Sequence, residues 1–310
     1  MKEERRHIYG PVPSRRLGRS LGVDLVPYKT CTYDCIYCQL GRTTCKTTER
    51  KKWVPTKEVL AQLEDKLSTK PDYITLSGSG EPTLHARIEQ LIHAIKSMTD
   101  IPVAVITNGS LLWLAEVQRS LLAADLVVPS LDAGSEDIFQ YVNRPHSQIH
   151  FDQMLQGLRE FRRLFHGRYW LEVFLLGGVT TVETRVNALR DCIEKIAPDK
   201  VQVNTVVRPP AESYATPVPR ERLEEIAVQL HPQAELIVPC AHGGATDSPG
   251  VGCDEVLDLL RRRPCSIADI AMGLRLHPQE AAKCVGRLVS EQKVRAREQR
   301  GTQFYEAVST

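Results

Sequence analysis

The feature that most constrains the fold is an alternation of short apolar segments, rich in β-branched residues, with longer amphipathic segments. The apolar segments have the length of strands and lie at 22–27, 73–77, 102–107, 125–130, 169–176 and 200–205. The amphipathic segments have helical periodicity and lie at 56–69, 86–98, 111–122, 151–165, 182–196 and 219–230. Because repeated strand–helix units build a parallel sheet covered by helices, the pattern predicts an α/β fold. Six such units predict a partial (βα)6 TIM-like open barrel, with a further strand at 234–238.

The composition of the sequence changes after residue 238. Residues 239–252 (PCAHGGATDSPGVG) are rich in glycine, proline and small polar residues, which is typical of a linker. Three helical segments follow, and then two short extended segments separated by a turn at Arg300-Gly301. The helices are predicted near 253–262, 266–273 and 278–292, and the extended segments at 294–298 and 302–307. This order predicts two domains joined by a linker. The core spans 1–238, the linker 239–252 and a small winged-helix domain 253–310.

Composition excludes several classes of protein. Hydrophobic residues make up 42% and charged residues 25%, which is ordinary for a globular chain. No segment approaches the roughly 18 continuous apolar residues of a membrane span. The first residues, MKEERRHIYGPVPSRR, contain no apolar signal segment. We therefore expect a cytoplasmic protein without a membrane partner, whose nine cysteines stay reduced and do not form disulfides.

Three of those cysteines are spaced as CxxxCxxC directly after the first predicted strand, in Cys31-Thr-Tyr-Asp-Cys35-Ile-Tyr-Cys38. Three thiolates in a short loop can hold a [4Fe–4S] cluster and leave one iron without a protein ligand. That iron can bind the amino and carboxylate groups of S-adenosylmethionine (SAM), and one electron then cleaves the C5′–S bond to a 5′-deoxyadenosyl radical. The alternatives are a zinc site or three buried thiols. Zinc usually takes four ligands in two spaced pairs, and no second pair follows here.

With these residues the chain resembles the radical SAM superfamily over about residues 8–230. The segment GPVPSRRLGRSLGVDLVPYKTCTYDCIYCQLG (10–41) is most similar to a group of stand-alone proteins related to the wyosine-forming tRNA enzymes. SGSGEPTLH (77–85) and SLDA…NRPH (130–146) add to the resemblance. Wyosine-forming enzymes carry a second cluster on cysteines upstream of the motif, and residues 1–30 contain none. The resemblance implies radical SAM chemistry and a low-potential electron donor such as flavodoxin or ferredoxin. The missing upstream cysteines depart from the wyosine-forming enzymes and argue against wyosine chemistry itself.

The resemblance also implies which residues contact SAM. Tyr37 matches the position whose backbone faces the adenine, and Ser79, Gly80 and Glu81 match the Gly-Gly-Glu-like segment that binds the methionine ammonium. A carboxylate after the second strand can accept such an ammonium. The alternative for the same segment is a turn that caps the next helix, where Glu81 interacts with the helix dipole.

Further polar residues and glycines follow the later strands, where a barrel of this kind has its active site. Asn108 follows the third strand and Asp132 the fourth, and each could bind the ribose or the methionine carboxylate of SAM. Asn108 suits a turn or helix cap equally well. Gly177 follows the fifth strand and offers a close backbone approach to the adenine. We assign no catalytic residue beyond the ligands of the cluster and of SAM.

The remaining cysteines leave one question open. Cys192 and Cys284 fall in helical segments and are predicted to be small core residues. Cys240, Cys253 and Cys265 lie near the predicted linker, so a second metal site there is an alternative. No tight CxxC pair supports it.

Charge is unevenly distributed. Residues 1–60 carry 13 Lys or Arg and 6 Asp or Glu, a net charge of +7, although the whole chain has +2. We expect Arg15, Arg16, Arg19, Lys51 and Lys52 to lie beside the barrel mouth, where they would bind a phosphate-bearing partner. Basic residues also occur in the predicted winged helix, at Lys283, Arg287, Lys293, Arg295, Arg297 and Arg300. RNA is therefore a candidate substrate.

Three functions remain open at this point. The first is a radical SAM enzyme that activates a C–H bond of an unidentified substrate. The second is an iron–sulfur redox sensor that binds nucleic acid through the winged helix, and the third is an activase of a glycyl-radical partner. Glu81 and the glycines after the strands favour the enzyme, because a sensor has no need of a SAM pocket.

Overall fold

The computed structural model describes residues 6–14, 16–237, 252–274 and 276–308. The predicted linker at 239–252 lies outside the described residues except for Gly252. The strands are β1 (Ile8–Ser14), β2 (Gly18–Val23), β3 (Thr30–Cys31), β4 (Cys45–Lys46), β5 (Tyr73–Leu76), β6 (Val103–Thr107), β7 (Leu126–Pro129), β8 (Arg168–Leu175), β9 (Lys200–Thr205), β10 (Ala234–Leu236), β11 (Val294–Gln299) and β12 (Thr302–Ala307). The helices are α1 (Thr56–Leu67), α2 (Ile88–Met98), α3 (Ala115–Leu121), α4 (Glu136–Val142), α5 (Phe151–Leu164), α6 (Glu183–Ile196), α7 (Arg220–Leu230), α8 (Cys253–Arg262), α9 (Ile267–Leu274) and α10 (Pro278–Ser290). A 3-10 turn spans Pro82–Leu84.

Eight strands form one sheet in the order β1-β2-β5-β6-β7-β8-β9-β10. All neighbours are parallel except β1 and β2, which are antiparallel. Strand β8 shows how the two faces differ, since Leu171 and Val173 are fully buried whereas Glu172 and Phe174 on the other face are partly exposed. The predicted α/β class is confirmed, and the mostly parallel sheet is consistent with a partial TIM-like barrel.

Strand β1, the short strands β3 and β4, and helix α4 were not predicted. Strand β1 contains two prolines and a glycine, which normally disfavour a strand, but an edge strand tolerates them. Its turn into β2 carries Leu17 onto the second face of the sheet, against Ala104, Leu126 and Val128. Helix α4 has only seven residues, too few to show helical periodicity in the sequence.

The segment after the predicted linker contains α8, α9, α10 and the antiparallel pair β11–β12, at bounds close to those predicted. Its own buried cluster includes Val256, Leu260, Ile270, Val285 and Leu288. We call residues 252–308 the C-terminal segment. Among the helices that the structure describes, none has the length and apolar character needed to cross a membrane.

The cysteine prediction is wrong for one pair. Cys253, at the start of α8, and Cys284, in α10, form a disulfide across a sequence separation of 31 residues. Two helical positions that the sequence places far apart are adjacent because α8 and α10 pack together. Cys192 is buried in the main core, as predicted for a small packing residue, and Cys265 is a buried free cysteine.

Candidate active site

The cysteine loop lies at the carboxyl end of the parallel sheet, where β2 ends. Backbone hydrogen bonds attach it to the end of α4: Asp34 N donates to Asn143 O at 3.0 Å, and Ile36 N donates to Val142 O at 3.0 Å. Glu212 N donates to Ile36 O at 2.9 Å from the opposite side. The loop is therefore held by elements that are distant in sequence, as a rigid metal-binding loop requires.

Cys31, Cys35 and Cys38 are free, and each sulfur faces a different side-chain N–H donor. Asn108 Nδ2 lies 3.5 Å from the sulfur of Cys31, and Asn143 Nδ2 lies 3.6 Å from that of Cys35. Lys29 Nζ, from a residue only 3% exposed, lies 3.5 Å from that of Cys38. Hydrogen bonds of this kind favour thiolates and tune the potential of iron–sulfur clusters.

Burial opposes ionisation of two of these thiols, Cys31 and Cys35. It raises the pKa of Cys31 to about 12, with the nearby carboxylate of Glu81 acting in the same direction. Burial likewise raises the pKa of Cys35 well above its ordinary value. Thiols placed like this lose their protons when a metal centre compensates the negative charge. The donor set therefore fits a cationic metal centre better than three inert thiols.

A single metal ion and a cluster make different demands on the spacing of the sulfurs. Among the described residues, no three His, Cys, Asp or Glu side chains stand where they could hold one metal ion. A single zinc needs its sulfurs close together, since Zn–S bonds are about 2.3 Å long. A cubane is larger and takes thiolates that are farther apart. The absence of a single-ion site in the described residues therefore does not conflict with a cluster, and the second metal site considered for Cys253 and Cys265 has no support there.

The segment 77–81 follows β5 and packs against the start of the cysteine loop. Lys29 N donates to Ser79 O at 2.7 Å, and Glu81 N donates to Thr30 O at 3.1 Å. A Cβ on Gly80 would lie 1.9 Å from Thr30 O, so this position requires glycine. Ser79 and Gly80 therefore lie beside the loop, as the resemblance implies for SAM ligands.

Glu81 is 2% exposed, and its carboxylate is engaged within the protein. Oε1 accepts from Thr83 N at 3.0 Å, Thr83 Oγ1 at 2.6 Å and Thr107 Oγ1 at 2.6 Å. Oε2 accepts from Asn108 N at 2.8 Å. Burial raises the pKa of Glu81, while these hydrogen bonds act in the opposite direction. The capping alternative is thus part of the observed arrangement, and Glu81 also ties the ends of β5 and β6 together.

Asn108 connects that carboxylate to the cysteine loop. Its Nδ2 donates to Thr32 Oγ1 at 2.7 Å and approaches Cys31, while its Oδ1 accepts from Ser110 N at 3.0 Å. The second contact is the turn that the sequence allowed as an alternative. Asn108 thus forms this turn and also contacts the cysteine loop, while its contact with SAM stays a prediction.

Asp132 fixes the other side of the loop. Its Oδ2 accepts from the hydroxyl of Tyr37 and from Asn143 Nδ2 at 2.7 Å, and its Oδ1 accepts from Phe174 N at 3.1 Å. The ring of Tyr37 stacks on Phe174 with centroids 3.9 Å apart. Sequence reasoning placed Tyr37 and Asp132 at the site but missed Asn143. The signal that could have found Asn143 is its place in NRPH, within the run that carries the resemblance.

Burial raises the pKa of Asp132 to about 6, from an ordinary value near 3.8. Its raised pKa adds stability below pH 4 that is lost as the pH rises through 6. From pH 5 to pH 7.5 we expect this carboxyl to lower the free energy of unfolding by about 1.4 kcal/mol. Urea unfolding of the cluster-free protein and of Asp132→Asn at both pH values checks this. An unchanged pH dependence in the variant would contradict it.

The backbone of Gly177, which follows β8, closely approaches residues 216–217 of the protein itself. Its N donates to Thr216 O at 2.9 Å, and its O accepts from Thr216 Oγ1 at 3.1 Å. A Cβ there would lie 2.8 Å from Pro217 O. The need for glycine at this position is thus explained by residues 216–217, and contact with the adenine stays a prediction.

The predicted basic rim is wrong in two of its members. The side chain of Arg16 is only 10% exposed and forms an ion pair with Glu172 of β8 at 2.6 Å, so it does not lie on an open rim. Arg19 lies near the amino end of β2, bonded to Asp72 and to Lys70 O, at the end of the strand opposite the cysteine loop. Arg15 lies outside the described residues. Exposed Lys51 pairs with Glu49.

Basic residues of the C-terminal segment are mostly paired as well. Lys283 contacts Glu280, Arg287 and Lys293 contact Glu291, and Arg295 contacts Glu306. These exposed ion pairs largely cancel the local positive charge that an RNA backbone would require.

The sequence model of the radical SAM superfamily matches residues 25–207, more than half of the chain. The chain therefore belongs to the radical SAM superfamily, a class of enzymes whose members bind a [4Fe–4S] cluster and SAM. The predicted enzyme class and cofactors are confirmed at this level. Within the superfamily it belongs to the UPF0026 family. A UPF0026 protein of Helicobacter pylori J99 is 32% identical over 322 residues, 98% of each chain.

Two other relatives differ in coverage. A UPF0026 protein of Methanocaldococcus jannaschii is 37% identical over 222 residues, 70% of this chain and 69% of that protein. A Brachyspira hyodysenteriae protein named GTPase Obg is 39% identical over 299 residues, 95% of this chain but 44% of that protein. The chain thus spans less than half the length of that relative. These 310 residues contain no Gly-Lys pair and hence no P-loop, so the GTPase name of that relative has no counterpart in this chain.

Solved structures show the same fold at low identity. A radical SAM methyltransferase from Sphaerobacter thermophilus superposes with a TM-score of 0.53 at 18% identity, over 70% of this chain and 65% of that one. Streptococcus suis SuiB bound to S-adenosylmethionine superposes with a TM-score of 0.50 at 16% identity, over 69% of this chain and 49% of that one. These likenesses concern the fold alone.

Proposed function

We propose that this chain is a radical SAM enzyme in which Cys31, Cys35 and Cys38 hold the [4Fe–4S] cluster and the carboxyl ends of the strands bind SAM. The observation that carries the proposal is the set of three free cysteines whose sulfurs each face a separate N–H donor. When bound, the cluster and SAM supply a 5′-deoxyadenosyl radical that removes hydrogen from a substrate C–H bond. The electron comes from a low-potential flavodoxin or ferredoxin.

The chain's own residues divide this work. Lys29, Asn108 and Asn143 direct N–H groups at the three sulfurs and compensate their negative charge. For SAM we propose contacts with the backbone of Tyr37, with Ser79 and Gly80, with Asn108 and Asp132, and with Gly177. Since Oε1 of Glu81 already accepts three hydrogen bonds, we assign Glu81 to positioning Thr107 and Asn108, with only Oε2 left to accept another donor.

We further propose two domains, a core at 1–238 and a winged-helix-like domain at 253–310. Separate buried clusters in these two parts, and a helix–helix–helix–hairpin order in the second, support this division. Kinship with wyosine-forming enzymes and a cytoplasmic location remain predictions from the sequence. The surface charges argue against RNA as the substrate, because Arg16 is buried and most exposed basic residues of the C-terminal segment have acidic partners.

The test is reductive cleavage of SAM. Anaerobically reconstituted protein, treated with dithionite, should release 5′-deoxyadenosine and methionine in equal amounts, measured by liquid chromatography and mass spectrometry. Samples without dithionite are the control. A reduced, cluster-loaded protein that binds SAM but forms no 5′-deoxyadenosine would instead favour the redox-sensor alternative.

A further inference from the structure

An arginine of the C-terminal segment is linked to the proposed SAM site. Arg262, in the last turn of α8, donates to Oδ2 of Asp24, the residue that follows β2. It also donates to Arg6 O at 3.2 Å, and its guanidinium carbon lies 4.1 Å from the centre of the Tyr9 ring. Its side chain is only 18% exposed. The contact therefore joins the last helical part of the chain to its first two strands.

Two of these partners of Arg262, Asp24 and Tyr9, in turn contact the segment 77–81. Asp24 uses its other oxygen, Oδ1, to accept from Ser79 N at 2.7 Å. The hydroxyl of Tyr9 lies 3.3 Å from Ser77 Oγ. Through Asp24 and Tyr9, Arg262 thus supports Ser79 and Ser77 in the segment that contains the proposed SAM ligands Ser79 and Gly80.

Because Asp24 is buried, its carboxylate depends on the charge of Arg262. Asp24 is 7% exposed, and a carboxylate with so little water needs a cation partner to stay ionised in place. A planar guanidinium can bond the carboxylate and stack on a ring at the same time, which a lysine cannot do. Removing Arg262 takes from Oδ2 of Asp24 its charged donor, while Oδ1 of the same carboxylate binds Ser79 N.

We infer that Arg262 is a positioning residue for SAM, which acts through Asp24 and Tyr9 and makes the C-terminal segment part of the cofactor site. This inference rests on the proposed function, since it concerns the same SAM site. It assigns the C-terminal segment a role in SAM affinity that is separate from any binding of nucleic acid.

The experiment is equilibrium dialysis of radiolabelled SAM against the full chain, anaerobically reconstituted with its cluster. We expect Arg262→Ala to raise the dissociation constant of SAM roughly tenfold, within the usual range of coupling between sites. Arg262→Lys should recover part of the affinity, because it restores the charge beside Asp24 but not the stacking. Iron content should equal that of the wild type in both variants.

Asp258→Ala is the matched control. Asp258 lies on the same helix and pairs with Arg6, so its loss also breaks an ion pair between α8 and the amino-terminal residues, without touching Asp24 or Tyr9. This exposed pair should change SAM affinity by less than about twofold. An equal loss of affinity in Asp258→Ala and Arg262→Ala would overturn the inference, because the effect would then come from docking of the helix alone.

A double variant tests the route through Asp24. If Arg262 acts through Asp24, Arg262→Ala should weaken SAM binding far less in an Asp24→Ala background than in the wild type. Fully additive losses would contradict that route. Wild-type protein that carries a cluster but binds no SAM would disprove the proposed function itself, whereas normal affinity in Arg262→Ala would disprove only this inference.

Discussion

Replacing Cys35 by alanine should abolish the iron–sulfur cluster. Wild-type protein reconstituted without oxygen should bind about four irons and four sulfides, and the variant less than one of each, because two thiolates cannot hold a cubane. Iron and sulfide analysis, with the visible absorption of the cluster, measures this. Loss of the cluster should also speed hydrogen exchange in the 28–45 loop, since metal binding contributes to its folding.

Cys45→Ala provides the control from the same loop. Cys45 is free and exposed. It contacts this neighbourhood through its backbone, since β4 pairs with β3 next to Cys31 and Cys45 N donates to Lys29 O at 3.1 Å, and alanine retains these backbone contacts. We expect full iron content in this variant. If a Cys31, Cys35 and Cys38 triple variant also keeps its iron, the assignment of the three ligands is wrong.

Glu81→Ala should weaken both SAM binding and the fold. The substitution leaves the Thr107 hydroxyl and the N–H groups of Thr83 and Asn108 without their acceptor in a buried place. Since each such group costs about 1–3 kcal/mol, we expect a loss of at least about 3 kcal/mol in the free energy of unfolding. SAM affinity should fall roughly ten- to a hundredfold, because Asn108 and the segment 77–81 lose their common support. Urea unfolding and SAM dialysis measure the two effects.

Glu81→Gln separates charge from shape in the same site. The amide keeps the volume but presents N–H groups to donors on one side, so we expect a smaller loss of stability than with alanine and still weaker SAM binding than in the wild type. Glu89→Gln, at an exposed position early in α2, should behave like the wild type. Normal SAM affinity in Glu81→Ala would show that this carboxylate has no part in the cofactor site.

The sequence by itself determined the α/β class, most strand and helix positions, and the three cysteines at the end of the first parallel strand. Period and spacing carry that information because they are local properties of the chain. Short or proline-containing elements such as β1 and α4 escaped, since their residues do not show the usual local pattern.

Only the tertiary structure decided which side chains meet. It brings Asn108 and Asn143 to the sulfurs, engages Glu81 inside the protein, buries Arg16 beside Glu172 and joins Cys253 to Cys284. The partners in these pairs are separated by 26 to 156 residues along the chain. Such contacts depend on how the sheet and the C-terminal segment pack, because charge and residue type do not state which distant group will lie within hydrogen-bond distance.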